Sequence, residues 1–487
     1  MALNNSVQEA SPKAFIHLLL VGGLVSMAYA IVTQQLFVAA IIISSPIILT
    51  IIYYGLSNPR VGYLLYIIYA YYYMYVMRYF QKSGFSVGLD ILLIYLSIAI
   101  LIQVIQKKQN IKITNAINTM TLCYMVWAIF IFFQMLNPGT SHSGIIWGLR
   151  YWIIGNLLLY SIASILSDTP KMLKTFLILL GILTFTAFLK LMYQRFVGFD
   201  LGERIWLNKG GASTHIIHSG IRYFSFFSDA GNFGPHMGAI TLIYGIVTFN
   251  THGRWLKIFY LTIFIVSMIG LFMSGTRSAI VVPFAGLVLY SFICKSLKIT
   301  ATSMILGITI FSVLAFTDIG QNNSFIRRMR TAIHPTEDAS FNARVRNRRM
   351  IAEYLNTRPF GVGIDSDIPM LWLQNDGTYI EGTLPPDAYF VDIWIKHGIV
   401  GILLYLSIYA VIFLRCCYLI MFRIQDSTLR QILAAFTCAA FGLTINGYAG
   451  EAIGLSPTNF LLTAILIFVM NGPYIEKQIA QQKLNKL

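Results

Sequence analysis

The sequence predicts an all-α polytopic membrane protein of about 12–14 transmembrane helices, with a large extracytoplasmic loop containing short helices. Three observations predict it. Only 11% of the 487 residues are charged, against roughly 25% in a soluble domain, while 57% are hydrophobic. Apolar runs of about 20 residues recur along the whole chain, each long enough to cross a ~30 Å hydrocarbon core as a helix. The ~10-residue alternating segments of a membrane β-barrel are absent.

Spans read near 14–33, 35–56, 61–80, 87–105, 118–136, 145–166, 172–193, 232–249, 257–274, 277–294, 299–317, 397–419, 431–448 and 456–471. The first has Lys13 as its positive flank, and Ala28-Tyr29-Ala30 superficially resembles a signal-peptidase site. Cleavage there would leave an odd number of helices and break the charge pattern, so an uncleaved helix is expected. Alternate connections carry the basic residues: Lys13; Arg60; Lys107, Lys108 and Lys112; Lys171 and Lys174; Arg254 and Lys257; Lys295 and Lys298; Arg415, Arg423 and Arg430; then Lys477, Lys483 and Lys486. The opposite short connections, 137–144 and 449–455, carry no Lys or Arg. The positive-inside rule then puts both termini in the cytoplasm.

The formal charge of +16 is therefore a topology signal between apolar runs, and nucleic-acid binding is not expected. The five cysteines lie in or beside apolar segments, where packing explains them and no metal-site spacing appears. Two outer loops are long, 194–231 and 318–390. The second holds Arg327, Arg328, Arg330, Arg344, Arg346, Arg348, Arg349 and Arg358 and no lysine. Arginine's planar fork suits phosphate and carboxylate, so this content points either to chemistry on the outer face or to a basic surface touching lipid headgroups. Within it, Asn342 to Asn356 reads as a helix ended by Arg358-Pro359, and 365–387 reads as irregular structure.

Three constellations carry candidate chemistry. Arg222 through His236 takes an outer loop into a helix, with Asp229 and Asn232 as capping candidates, Pro235 suited to a first turn, and Arg222 beside a helix N-terminus able to hold an anion. The plain alternative is a cap and a loop arginine. Met273-Ser274-Gly275-Thr276-Arg277-Ser278 is a polar break between two apolar runs. An arginine near membrane depth costs about 2.5–3.5 kcal/mol on insertion scales, so Arg277 is expected to have a task or a partner. Pro385 through Gly401 leads back into the membrane, with Asp387 a candidate general base and Asp392, Lys396 and His397 also titratable. Asp392 and Lys396 are i, i+4, which also fits a plain ion pair. His215-Ile-Ile-His218 has metal-like spacing without further ligands. The tyrosines of the third span (among them Tyr66 and Tyr73) suit packing and an interfacial belt, or an aromatic wall guiding a sugar or lipid.

These constellations, in this order, resemble the O-antigen polymerase and O-antigen ligase superfamily over roughly residues 220–405. The resemblance lies in Ser274-Gly-Thr-Arg277-Ser-Ala, in Asn342-Ala-Arg344 followed by Pro359-Phe-Gly-Val-Gly363, and in Asp387 through Gly401. It implies a C-type glycosyltransferase architecture acting at the outer membrane face, with no cofactor and no metal. Arg222, Arg277 and Arg344 would bind the donor pyrophosphate, and Asp387 would be the catalytic base, where ligases usually show a histidine. Asp229, Asn232, Arg348 and His397 complete the candidate set as supporting residues. The implied partners are an undecaprenyl-pyrophosphate-linked glycan donor, a glycan acceptor and the lipid bilayer, with a chain-length regulator and flippase of the same pathway. The histidine departure tilts the reading to a polymerase of repeat units in a bacterial cytoplasmic membrane, with an O-antigen ligase as the alternative. A transporter or flippase is the second, and would be expected to carry its ionisable groups nearer the bilayer midplane. The organisation expected is N-terminal helices over 1–200, a polymerase/ligase-like core over 201–405 and C-terminal helices over 406–487.

Overall fold

A computed structural model describes residues 53–81, 83–107, 111–217, 220–251, 253–294, 339–373 and 379–485, with a few isolated positions besides. The spans read at 14–33, 35–56 and 299–317 lie almost wholly outside the described residues, as does 318–338. Each other span is a helix. In chain order these are α1 (Pro59–Phe80), α2 (Val87–Gln106), α3 (Thr119–Gln134), α4 (His142–Leu166), α5 (Pro170–Phe196), α6 (Ala230–Phe249), α7 (Arg254–Met273) and α8 (Arg277–Ile293). After the loop helix α9 (Ala339–Leu355) come α10 (Tyr389–Tyr418), α11 (Ser427–Asn446), α12 (Thr458–Met470) and α13 (Gly472–Leu484). Among the described residues six helices are long and apolar enough to cross a membrane, and a seventh span arises if α12 and α13, bent by 57°, are taken together. The chain is an all-α polytopic membrane protein.

The helix starts follow from local chemistry. Asn118 and Thr121 form a reciprocal capping box at α3, Thr169 caps α5 ahead of Pro170, and Asp426 caps α11. Packing centres on α6, which is buried along most of its length and contacts α7, α8 and α11. Lipid offers apolar side chains no less welcome than a neighbouring helix does, so close van der Waals fit must hold such helices together. Gly442 shows how close they come: a Cβ there would stand 2.1 Å from the Val282 carbonyl oxygen.

Connections that the charge pattern assigns to one side meet at one end of the bundle. At the first end the buried Asp168 pairs with Arg60 at 3.0 Å, accepts from Asn115 at 3.1 Å, and sits beside Gln478, which donates to its carbonyl. At the other end Ser141 N donates to Asp365 Oδ1 at 3.2 Å, Gln134 Nε2 to the Phe360 carbonyl at 2.9 Å, and Arg344 Nη1 to the Ala449 carbonyl at 3.0 Å.

The large loop departs from the expectation in one respect. Residues 365–387 are not wholly irregular, because β3 (Pro369–Leu373) pairs antiparallel with β4 (Tyr379–Thr383); β1 (Ile216–Ile217) and β2 (Gly220–Ile221) form a smaller pair earlier in the chain. An apolar run, Met370 to Leu373, and the β-prone Tyr379-Ile380 flank the turn residues Asn375-Asp376-Gly377, a hairpin sequence that the density of Asp, Gly and Pro over 365–387 masks. Helix α9 begins slightly ahead of the position read for it and ends at Leu355.

The turn Pro359-Phe360-Gly361-Val362-Gly363 has a structural task. Helix α10 starts at Tyr389, eight residues ahead of the span read at 397, and breaks at Gly398, whose φ is +66°. The turn fills that break: Val362 N donates to the Ile395 carbonyl at 2.9 Å, Gly363 N to that of Lys396 at 3.1 Å, and Val400 N to that of Pro359 at 3.2 Å. A Cβ on Gly398 would stand 2.1 Å from the Pro359 oxygen. Gly398→Ala is therefore expected to cost about 2 kcal/mol or more through strain and a displaced turn. A lowered thermal midpoint of the purified protein in detergent checks it, and an unchanged midpoint refutes it.

Candidate functional site

The bundle end that carries Asp365 and Ala449 also gathers the three candidate arginines, from segments far apart in sequence. Arg222 follows β2 and is fixed on both sides: Nη1 donates to the Thr214 carbonyl at 2.9 Å and Nη2 to Thr276 Oγ1 at 3.0 Å. Thr276 Oγ1 passes on a hydrogen bond to the Ala230 carbonyl at 2.6 Å, so the loop, the polar break and the start of α6 form one unit. Arg277 is the next residue, half-buried on the 3₁₀ turn that opens α8. Asn446 at the end of α11 holds this turn by donating to the Ser278 carbonyl at 2.8 Å. Arg344 and Arg348 lie one turn apart on α9 and clasp the end of α11: Arg344 reaches Ala449, and Arg348 Nη2 donates to the Tyr448 carbonyl at 2.6 Å with its guanidinium 4.2 Å from the ring centre.

The arginines are close enough to feel one another. Burial, reinforced by the positive charges of Arg277 and Arg344, pushes the Arg222 guanidinium below its ordinary range, and Asp229 opposes the shift. Like charges gathered together repel one another, and Asp229 counters that repulsion at Arg222.

The supporting candidates have varied surroundings. Asp229 is the N-cap of α6, its Oδ1 accepting from Asn232 N at 3.0 Å and its Oδ2 from Ser228 Oγ at 2.8 Å. Asn232 is fully buried and ties α6 to the start of α12, donating to the Ser456 carbonyl at 2.7 Å and accepting from Thr458 Oγ1 at 2.6 Å. Because Asp229 starts the helix at Ala230, Pro235 falls inside α6 and not in its first turn. Asp387 has φ of +58°, a left-handed conformation that Asp and Asn tolerate better than most residues, and its Oδ2 accepts from Asn347 Nδ2 at 2.7 Å. Asn347 lies between Arg344 and Arg348 on α9, so the carboxylate is tied to the arginine-bearing helix. His397 is fully buried, with ring centres of Trp127, Phe130 and Trp152 at 5.3, 6.0 and 6.1 Å. Asp392 and Lys396 form an ion pair at 2.7 Å.

His215 has a task within the fold. Its Nδ1 donates to the Gly211 carbonyl at 3.0 Å and its Nε2 accepts from Ala230 N at 3.0 Å. Burial, with the Arg222 charge, lowers its pKa to about 4, so it is neutral at physiological pH, as that acceptor role needs. His218 lies outside the described residues. Among the described residues no group of three or more His, Cys, Asp or Glu is placed to hold a metal ion.

Two residues at this end escaped the sequence reading. Arg78, at the end of α1, is buried, donates to the Phe227 and Ser228 carbonyls, and lies 4.6 Å and 4.8 Å from the ring centres of Phe224 and Trp206, holding the loop that presents Asp229. Glu451 stands in the short connection between α11 and α12. Burial first, then the negative charges of Asp229, Asp392 and Asp387, raise its carboxyl above the ordinary range. A lone glutamate in the otherwise apolar stretch 449–455 was the available signal. Glu451 also borders a cavity of about 460 Å³, which runs down between α1, α2, α4 and α10 with Tyr66, Leu93 and Leu159 among its deeper walls.

Fold and site together define a multi-pass membrane protein with an arginine-ringed polar end, in which the connections between helices supply the charged groups. Residues 262–406 match the family described as O-antigen ligase, so this segment of the membrane protein is similar to the O-antigen ligase and polymerase type. The matched segment contains Arg277, Arg344, Arg348, Asp387 and His397, while Arg222, Asp229, Asn232 and Glu451 lie outside it. A search of curated proteins finds no match to the chain.

Proposed function

We propose that this protein is a glycosyltransferase of the bacterial cytoplasmic membrane that polymerises undecaprenyl-pyrophosphate-linked oligosaccharide repeat units at the outer face, with both termini inside. The observation that carries the reading is the convergence of Arg222, Arg277 and Arg344 from three segments, tied together through Thr276 and the end of α11. Pyrophosphate is a compact, highly charged anion, and guanidinium forks match its oxygens. In the transfer, an acceptor hydroxyl attacks the anomeric carbon of the donor sugar from the face opposite the pyrophosphate, inverting the centre. The bond from that carbon to the phosphate oxygen breaks, and the arginines stabilise charge growing on the leaving group, an electrostatic contribution. The hydroxyl proton passes to a carboxylate, for which Asp387 is the candidate.

The alternative within the same chemistry is a ligase that moves finished glycan to lipid A-core or to protein. The lipid-linked species that accumulates in a deletion strain separates the two. Single repeats on undecaprenyl pyrophosphate are expected, and accumulated polymer would make it a ligase. Purified protein in liposomes is expected to extend a lipid-linked repeat unit without nucleotide sugar. Flipping of that substrate with no extension would make the protein a transporter and overturn the proposal.

A further inference from the structure

The cavity beside Glu451 does not overlap the arginine group, yet one of its walls is built unusually. Residues Gly148–Gly155 of α4 form a π-helical stretch, and Trp147, Arg150, Tyr151 and Trp152 from it or beside it line the cavity. Such wide turns are uncommon and frequently mark functional positions. Here the stretch stacks Trp147 against Tyr151, ring centres 5.3 Å apart with planes 8° from each other, as an aromatic pair in the cavity wall. Opposite chemistry faces it. Asp90 of α2 holds Arg150 with Nε to Oδ2 at 2.7 Å, Asp392 holds Lys396, and Glu451 closes the upper rim.

A flat aromatic face beside carboxylates and amides fits one ligand class. The axial C–H face of a pyranose is apolar and stacks on rings, while its hydroxyls donate to carboxylate oxygens and accept from arginine and amide hydrogens. A hydrocarbon tail would strip water from these paired charges and from Glu451 and offer no hydrogen bond in return, at a desolvation cost. The charge balance narrows the class. The lining carries three carboxylates (Asp90, Asp392 and Glu451) against two cations (Arg150 and Lys396), and both cations are already paired. A further carboxylate on the ligand would meet excess negative charge.

We infer that this cavity is the acceptor-sugar subsite, seating a neutral or amino sugar against an outer ring face of the stacked Trp147–Tyr151 pair and discriminating against a uronic acid. The inference rests on the transferase reading above only for the word acceptor; the sugar subsite stands or falls separately. Saturation-transfer-difference NMR on the full protein in nanodiscs tests it with three probes: cellotriose, a chitosan trisaccharide and trigalacturonic acid. Wild type is expected to bind the first two and to bind the uronate at least about tenfold more weakly. Trp147→Ala, at a half-exposed position that a truncation should leave folded, is expected to weaken binding of the first two about tenfold, with Trp147→Phe restoring most of it. Asp90→Asn releases Arg150 and removes one negative charge, so it is expected to narrow the gap between uronate and neutral sugar. Binding of none of the three probes, tightest binding of the uronate, or wild-type affinities in both Trp147→Ala and Asp90→Asn overturns the assignment. Arg277→Ala separates the two proposals: it is expected to keep sugar binding while losing transfer. If it keeps both, the transferase mechanism fails and the sugar subsite remains.

Discussion

Arg277→Ala is expected to insert and fold normally and to lose chain extension by about 10²–10³-fold, the range seen when one preorganised donor is removed from a developing oxyanion. The effect should fall mainly on kcat, because an interaction strongest with the departing pyrophosphate contributes most in the transition state. Arg277→Lys keeps the charge and loses the fork, so it should recover part of the rate and not all of it. Arg344→Ala is expected to lose as much activity and some stability as well, since Arg344 also donates to the Ala449 carbonyl and helps to fasten α9 to the end of α11. Arg346 and Arg349 project from α9 as exposed side chains and serve as controls. Their alanine variants should remain within about twofold of wild type, as exposed charges contribute little. Extension of a lipid-linked repeat unit by purified variants, beside their thermal midpoints, gives both readings. Wild-type chain lengths from a normally inserted Arg277→Ala protein would end the pyrophosphate-binding assignment.

How these residues were legible follows from what each costs. A helix crossing lipid must be continuously apolar, so the described spans stand out in composition, and Asp229 stands out as the cap of α6. An arginine at the edge of such a span is expensive, which is why Arg277 draws attention in sequence alone. The third span's tyrosines were readable as packing or as an aromatic wall; in the fold Tyr63, Tyr66 and Tyr71 are buried, and Tyr66 and Tyr73 also border the cavity. Pairings are another matter. Asp90 and Arg150 are each a lone charge within an apolar span, and nothing local says that they meet across 60 residues. Glu451 looks like any loop acid until Asp229, Asp387 and Asp392 converge on it. The turn at 359–363 could be read as a turn, but its purpose, filling the break at Gly398, exists only once α10 is in place.

The proton acceptor is the step where those convergent acids matter most, and two isosteric variants divide the roles. Asp387→Asn keeps the side chain's shape and suits the left-handed backbone at this position, so it changes chemistry with little strain. It is expected to lower kcat by about 10²–10⁴-fold with the thermal midpoint nearly unchanged. Glu451→Gln should behave in the opposite way. In the folded protein Glu451 holds its proton to higher pH than it would in the unfolded chain, because burial and three neighbouring carboxylates disfavour its charge. Between the ordinary glutamate range and the raised folded value, the folded state therefore binds more protons than the unfolded one. Stability must then fall as pH rises through that window and stay reduced above it. Glu451→Gln removes the loss, so its midpoint should rise above wild type at neutral pH and converge with it under acid conditions. Its activity should decline by less than about tenfold, the cost of one altered neighbour at the rim of the site. A Glu451→Gln protein that gains stability yet loses activity as deeply as Asp387→Asn should, while Asp387→Asn remains active, would transfer the base to Glu451. That outcome would leave Asp387 as the residue that orients α9 through Asn347, and would place proton transfer at the mouth of the sugar cavity.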